Sequence, residues 1–164
     1  MKLDTLKDYL HQFHSGTQQL FPNVKMNWLS KTEGIDGRWL DERDHLLKNK
    51  QGVYIFTTVT SDILYIGKAQ ESNSDICGRV WAHISTPSTE RKASTTRENM
   101  IIYPGNKWIN NVEERDDPVI GSGQFRIWAV AIEPSRYAAL YEIAGLLFHQ
   151  EAEDSLPRYN ARLG

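Results

Sequence analysis

Two tyrosines in this chain stand beside bare backbone. Gly52, Val53 and Tyr54 open one β-branched and aromatic run, and Tyr65, Ile66 and Gly67 close the next, with Ser61 and Asp62 between the runs. Aromatic residues in strands usually serve packing, but a glycine near each tyrosine lets a substrate approach the backbone closely. A phenol donates and accepts hydrogen bonds, yet with an ordinary pKa of about 10 it acts as a base near neutrality only where nearby cations lower that value. Further along, Val80, Trp81 and Ile84 suggest a short helix carrying Arg79 and His83 four positions apart, so that both project from one face. A guanidinium neutralises phosphate charge, and an imidazole titrates close to neutral pH.

Glu142 falls in the segment with the strongest helical periodicity. Tyr137, Leu140, Tyr141, Ala144, Leu147 and Phe148 form its apolar stripe, which is expected to face the core. Glu142 lies off that stripe, and its neighbours three and four positions away, Ala138, Ala139, Gly145 and Leu146, carry nothing that neutralises a carboxylate. Such a group either faces open solvent or holds a cation. The small neighbours leave room for hydrated Mg2+ or Mn2+, and Mg2+ commonly takes only one or two protein carboxylates and fills its octahedron with water and phosphate oxygens.

The runs GVY at 52–54 and YIG at 65–67 resemble the signature of the GIY-YIG nuclease family, and the resemblance extends over residues 51–160. In that family the signature is followed by an arginine on the first helix, a metal-binding glutamate on a later helix and an asparagine beyond it. Arg79, Glu142 and Asn160 stand in that order. His83 matches the histidine some members carry one turn after the arginine, and Lys68 in YIGKA matches a recurrent lysine. Val53 departs from the usual isoleucine, and the polar stretch 70–75 lengthens the interval before Arg79, leaving Arg91 as the nearest alternative.

The resemblance implies a metal-dependent endonuclease that hydrolyses DNA phosphodiester bonds. Tyr54, Arg79 and Glu142 would surround one scissile phosphate, with a single divalent ion on Glu142. Tyr65 and Asn160 would position phosphate or neighbouring side chains, and Lys68, Arg79 or the metal would lower the pKa of Tyr54. Either Tyr54 or His83 would assist the attacking water. A sequence-specific enzyme, a structure-specific repair nuclease and a catalytically silent nucleic-acid-binding module all share such a motif. A double-strand break would require a homodimer or two successive nicks.

These residues need a scaffold that brings distant segments together. Leu3, Leu6, Leu10 and Phe13 predict an amphipathic helix ended by Ser15 and Gly16. The runs from Gly52 and from Asp62 predict a β-hairpin, and FRIWAVAIE a third strand, closed by Pro134 and Ser135 before the last helix. The fold expected is therefore α+β: a small three-stranded antiparallel sheet flanked by helices, in a single domain over 1–164. Residues 1–50 form an N-terminal extension, with a short charged helix at Trp39–Leu47. An insertion at about 86–123 reads as an elaborated loop with a helical turn near Trp108–Val112.

The whole-chain charge of −2 lacks the basic excess common in nucleic-acid binders. Local charge matters more, because phosphate attraction acts over about a Debye length of 8–10 Å. Arg91, Lys92, Arg97 and Lys107, opposed in that window only by Glu98, are the expected DNA-contacting cations. The single cysteine, Cys77, excludes an internal disulfide and suits a reducing cytoplasm. The apolar runs fall far short of a membrane span, and charged residues at 4, 7 and 8 argue against a secretory signal.

Overall fold

The computed structural model describes residues 1–13, 16–25, 47–70, 75–85, 100–103, 107–110, 124–160 and 163. In chain order these form α1 (Leu3–His11), β1 (Gln18–Lys25), β2 (Gly52–Thr58), β3 (Ile63–Ala69), α2 (Ile76–Ser85), β4 (Met100–Tyr103), β5 (Lys107–Asn110) and β6 (Gln124–Ala131). A 3-10 turn (Ser135–Tyr137) then leads into α3 (Ala138–Glu153). Among the described residues no helix is long and apolar enough to cross a membrane.

β2, β3 and β6 are the three strands expected from the β-branched and aromatic runs, and they pair antiparallel with β2 in the centre. The sheet is one strand wider than expected. β1, from the N-terminal extension, pairs antiparallel with β6 and makes the order β1-β6-β2-β3. Its alternation is poor, it contains Pro22, and its register slips between Phe21 and Val24. Proline and irregular register suit an edge strand, where an N–H to the next strand is not required, and these features hid β1 in the sequence.

The insertion also differs from expectation. Lys107–Asn110 is a strand, not a helical turn, and pairs with Met100–Tyr103 in a separate two-stranded ladder. Of the charged helix expected at Trp39–Leu47, residues 39–46 lie outside the described residues, and Leu47 sits in a turn with its side chain buried.

Both faces of the main sheet are covered. Tyr54, Phe56, Ile127 and Ala129 face a layer made by Ile76 and Val80 of α2 together with Leu47 and Tyr159. Val53, Ile55, Trp128 and Val130 face α1 and α3, through Leu3, Leu6, Leu10, Ala138 and Leu146. Covering on both sides explains why β2 is buried along its whole length and reads as an unbroken apolar run, not as an alternating one.

The buried side of α3 is turned away from the one its apolar stripe suggests, although the partly buried Tyr141 and Phe148 of that stripe still pack against the core. Ala138, Glu142, Gly145, Leu146 and His149 are buried, whereas Leu140 is 62% exposed and Tyr137 and Leu147 more than two-fifths exposed. The helix carries apolar residues nearly all round, so periodicity cannot choose a side. What the helix meets decides: Gly145 faces β3 and α1, where a Cβ would make ordinary contact 3.5 Å from Ile66 Cδ1 and 3.6 Å from Leu6 Cδ1, and Lys68 of β3 engages Glu142. Leu140, Tyr141 and Ala144 of the stripe, with Tyr9 and Phe13 of the α1 segment, line a groove of about 340 Å³. Leu146→Ala is accordingly expected to cost about 2–5 kcal/mol, as for other buried leucines, and Leu140→Ala no more than about 0.5 kcal/mol. Urea unfolding of the two variants measures this, and equal costs would restore the sequence-based orientation.

Candidate active site

β2 and β3 set Tyr54 directly opposite Gly67. The pairing is steric in origin: a Cβ on Gly67 would stand 2.7 Å from Tyr54 Cζ and Oη and 2.7 Å from Tyr65 Cε1. The glycine therefore supplies the floor across which both rings lie. The space expected at this glycine for a substrate is filled instead by the protein's own phenols. Gly52 serves differently, since a Cβ there would collide with the Val130 carbonyl oxygen and force β2 away from β6.

Tyr65 lies opposite Phe56 and so shares the face of Tyr54 by ordinary alternation, and a bulge beside it brings Leu64 into the same layer. The register shifts between Phe56 and Thr57, which pair with Tyr65 and Ile63, so Leu64 is an extra residue on β3. Leu64 and Tyr65 consequently both pack in the layer of Tyr54 and Phe56, and the two phenol rings stand 6.2 Å apart at 38°. Bulges commonly re-aim a side chain, here that of Leu64, in this way.

Arg79 is brought in by α2. Asp75 caps that helix: its Oδ1 accepts from Gly78 N–H at 2.7 Å and its Oδ2 from Asn49 N–H at 2.8 Å. Lys50 O also accepts from Ile76 N–H at 2.8 Å. An aspartate cap bonded to the third helical residue fixes the first turn, and its bond to Asn49 ties that turn to the start of β2. Asp75 was legible only as the end of a polar loop, although an Asp followed three residues later by the first residues of an apolar helix carries that signal.

The Arg79 guanidinium hydrogen-bonds the Tyr54 oxygen, and Tyr54 hydrogen-bonds Tyr65. Burial pushes the Tyr54 phenol well above its ordinary value, and the neighbouring Tyr65 pushes further the same way. Arg79 opposes this through charge and hydrogen bond, and the Glu142 charge raises the value again. Tyr65 is raised by burial first and then by Glu142, with Arg79 and Tyr54 opposing. Desolvation thus outweighs the cation, so in this state Tyr54 is a neutral hydroxyl and not a base. The relay runs from guanidinium to Tyr54 to Tyr65 and ends within the field of Glu142.

Glu142 reaches the site from α3, on the other face of the sheet, with 8% of its surface exposed. It is neutralised, contrary to the reading of its helical neighbours alone: Lys68 Nζ donates to Glu142 Oε2 at 2.5 Å. Lys68 and Ile66 point to the α3 side of β3, while Tyr65 and Gly67 point to the α2 side. β3, the last strand of the main sheet among those described, is the element both halves of the site share. A lone carboxylate oxygen donor fits Mg2+ or Mn2+, which are content with one protein carboxylate and several waters.

Asn160 occupies a different place. Its Oδ1 accepts from Ile66 N–H and its Nδ2 donates to Ile66 O, each at 2.9 Å, and Tyr159 N–H donates to Leu64 O at 2.9 Å. The C-terminal segment thereby pairs the outer edge of β3, and the Asn160 amide spends both ends on backbone, holding the strand that carries Tyr65, Gly67 and Lys68. Asn160→Ala is expected to lose about 1–3 kcal/mol by leaving those backbone groups unpaired, read as a lower urea midpoint. A wild-type midpoint would show that the pairing carries no weight.

The remaining assignments are only partly described. His83 follows Arg79 at four positions on α2, with its side chain outside the described residues. Arg91, Lys92 and Arg97 lie outside the described residues, and Lys107 begins β5 with its side chain likewise outside them. For Cys77, burial and then the Asp75 charge push the thiol up to about 11, so little thiolate forms near neutrality. No family model, curated protein or solved structure matches this chain, so the functional reading rests on its own residues and on the resemblance of its motif.

Proposed function

We propose that this protein is a metal-dependent nuclease that hydrolyses phosphodiester bonds in DNA, with its site at the β3 edge. The observation that carries the reading is the set of Tyr54, Tyr65 and Arg79 joined on the α2 side of β2 and β3, with Glu142 across the sheet near enough for its charge to act on both phenols. A purely structural pair of sheet tyrosines needs neither a guanidinium nor a buried carboxylate.

Glu142 is the residue that would hold the divalent ion, Mg2+ or Mn2+, which when bound supplies Lewis-acid polarisation of a phosphate oxygen. The chain's own groups divide the rest. Arg79 offers the positive charge that a phosphate gains from most as negative charge builds on its oxygens. Tyr54, fully buried and neutral, holds the Arg79 guanidinium and the Tyr65 hydroxyl in place by hydrogen bonding, and the partly exposed Tyr65 is the phenol suited to orient a water or phosphate oxygen. The proton acceptor for the attacking water then falls to His83 or to a Tyr54 whose pKa the bound cations have lowered. Arg91, Lys92, Arg97 and Lys107 would grip flanking phosphates, and the lone thiol suits a cytoplasmic setting.

Incubation of supercoiled plasmid with the protein and Mg2+ tests the reading. Open circles or linear DNA that form with Mg2+ and not with EDTA are the expected result, and unaltered plasmid under both conditions would reject it. Discrete fragments would identify a sequence-specific enzyme. Relaxed circles alone would show a single site cutting one strand at a time, and immediate linear product a homodimer.

A further inference from the structure

We propose that Lys68 is the resident cation of the Glu142 carboxylate and that a divalent ion enters the site by exchanging with it, so that Lys68 sets the metal affinity of the pocket. The inference rests on the reading of Glu142 as metal ligand. Lys68 and Glu142 are 74 positions apart and meet only because α3 packs over β3. With 10% of its side chain exposed, the carboxylate has lost most of its water and needs a compensating charge. The ammonium provides it in the metal-free protein.

The two partners differ in their freedom to leave. Glu142 sits on the buried side of a 16-residue helix, beside Ala138, Gly145 and Leu146, and is held by that packing. Lys68 retains 31% side-chain exposure, and its flexible four-carbon stem can swing the ammonium outward into water without stranding a buried charge. In the exchange, Glu142 Oε2 loses an N–H donor and gains a cation. Lys68 keeps all its protons and moves to solvent or to a phosphate oxygen of bound DNA, so no proton is released. Ammonium and dication compete for one carboxylate, and each opposes the other by mass action.

Mn2+ titration of the full chain without DNA, followed by the electron paramagnetic resonance of free Mn2+, tests this. Lys68→Met is expected to bind Mn2+ about tenfold tighter than wild type, at the lower end of what groups flanking a metal ligand contribute. Lys68→Arg, whose fork can engage both carboxylate oxygens, is expected to bind more weakly, and Glu142→Gln to lose binding. Far-UV circular dichroism establishes that each variant is folded, and Lys68→Arg keeps the ion pair, so it decides the matter if Lys68→Met does not fold. Equal affinity in wild type and Lys68→Met, or in wild type and Lys68→Arg when only that variant folds, overturns the exchange. If Glu142→Gln still abolishes binding in that case, the metal site itself stands. Mn2+ binding indifferent to Glu142→Gln, or absent in every variant, overturns both the exchange and the metal-site reading beneath it.

Discussion

Glu142→Gln is expected to slow the Mg2+-dependent nicking of plasmid by about 10²–10³-fold or more, a loss typical of removing one electrostatic contact to a reacting centre. DNA retention in a gel shift should stay close to wild type. The substitution is conservative for the fold. Glutamine keeps a side-chain carbonyl that accepts from Lys68 in place of Oε2, and the residues packed around it on α3 are small or aliphatic. What disappears is the negative charge that would hold the cation. Arg79→Ala is expected to cost a similar factor, because it removes both a positive charge and the hydrogen bond to Tyr54. Residues that act as one unit are non-additive, so the double variant should be little slower than the worse single one. Nicking at wild-type rate in both single variants would refute the site, and full multiplicativity in the double variant would mean that the two groups work independently.

Gly67→Ala is expected to lower nicking by about a hundredfold, the cost of displacing catalytic groups by about an ångström. A methyl group at 67 stands 2.7 Å from the ring and hydroxyl of Tyr54 and from Tyr65. Tyr54 has no exposed surface through which to yield, since Phe56 packs edge-on against it with ring centroids 6.1 Å apart. The ring must therefore tilt, and the hydrogen bonds to Arg79 and Tyr65 tilt with it. Overpacking of this kind also costs about 1–3 kcal/mol of stability, measurable by urea unfolding. Measuring nicking well below the melting temperature separates the two effects: a folded variant with wild-type nicking would show that the Tyr54 ring position has no bearing on the chemistry.

The hairpin and the third strand were legible because β-branched and aromatic runs bounded by Gly, Ser and Asp are local signals, complete within eight or nine residues. α1 was legible for the same reason, its Leu3, Leu6 and Leu10 burying as their spacing requires. β1 was not, because its pairing with β6 connects segments more than a hundred residues apart and its own sequence argues weakly for a strand. α3 was recognisable as a helix but not in its orientation. Its apolar residues run nearly all round, and the buried side is selected by what it meets, Ile66 and Leu6 opposite Gly145 and Lys68 opposite Glu142, a property of two surfaces and not of one.

The candidate site divides along the same line. From the chain alone came the residue types and their order: two tyrosines each near a glycine, then an arginine, then a carboxylate on a helix, since these are facts of composition and spacing. Only the folded structure decided that Lys68 neutralises Glu142, that the register sets Tyr65 opposite Phe56 on the face of Tyr54, and that Asn160 holds the backbone of β3. Each of these depends on which backbone lies opposite which, and a one-residue change of register sends a side chain to the other face of the sheet.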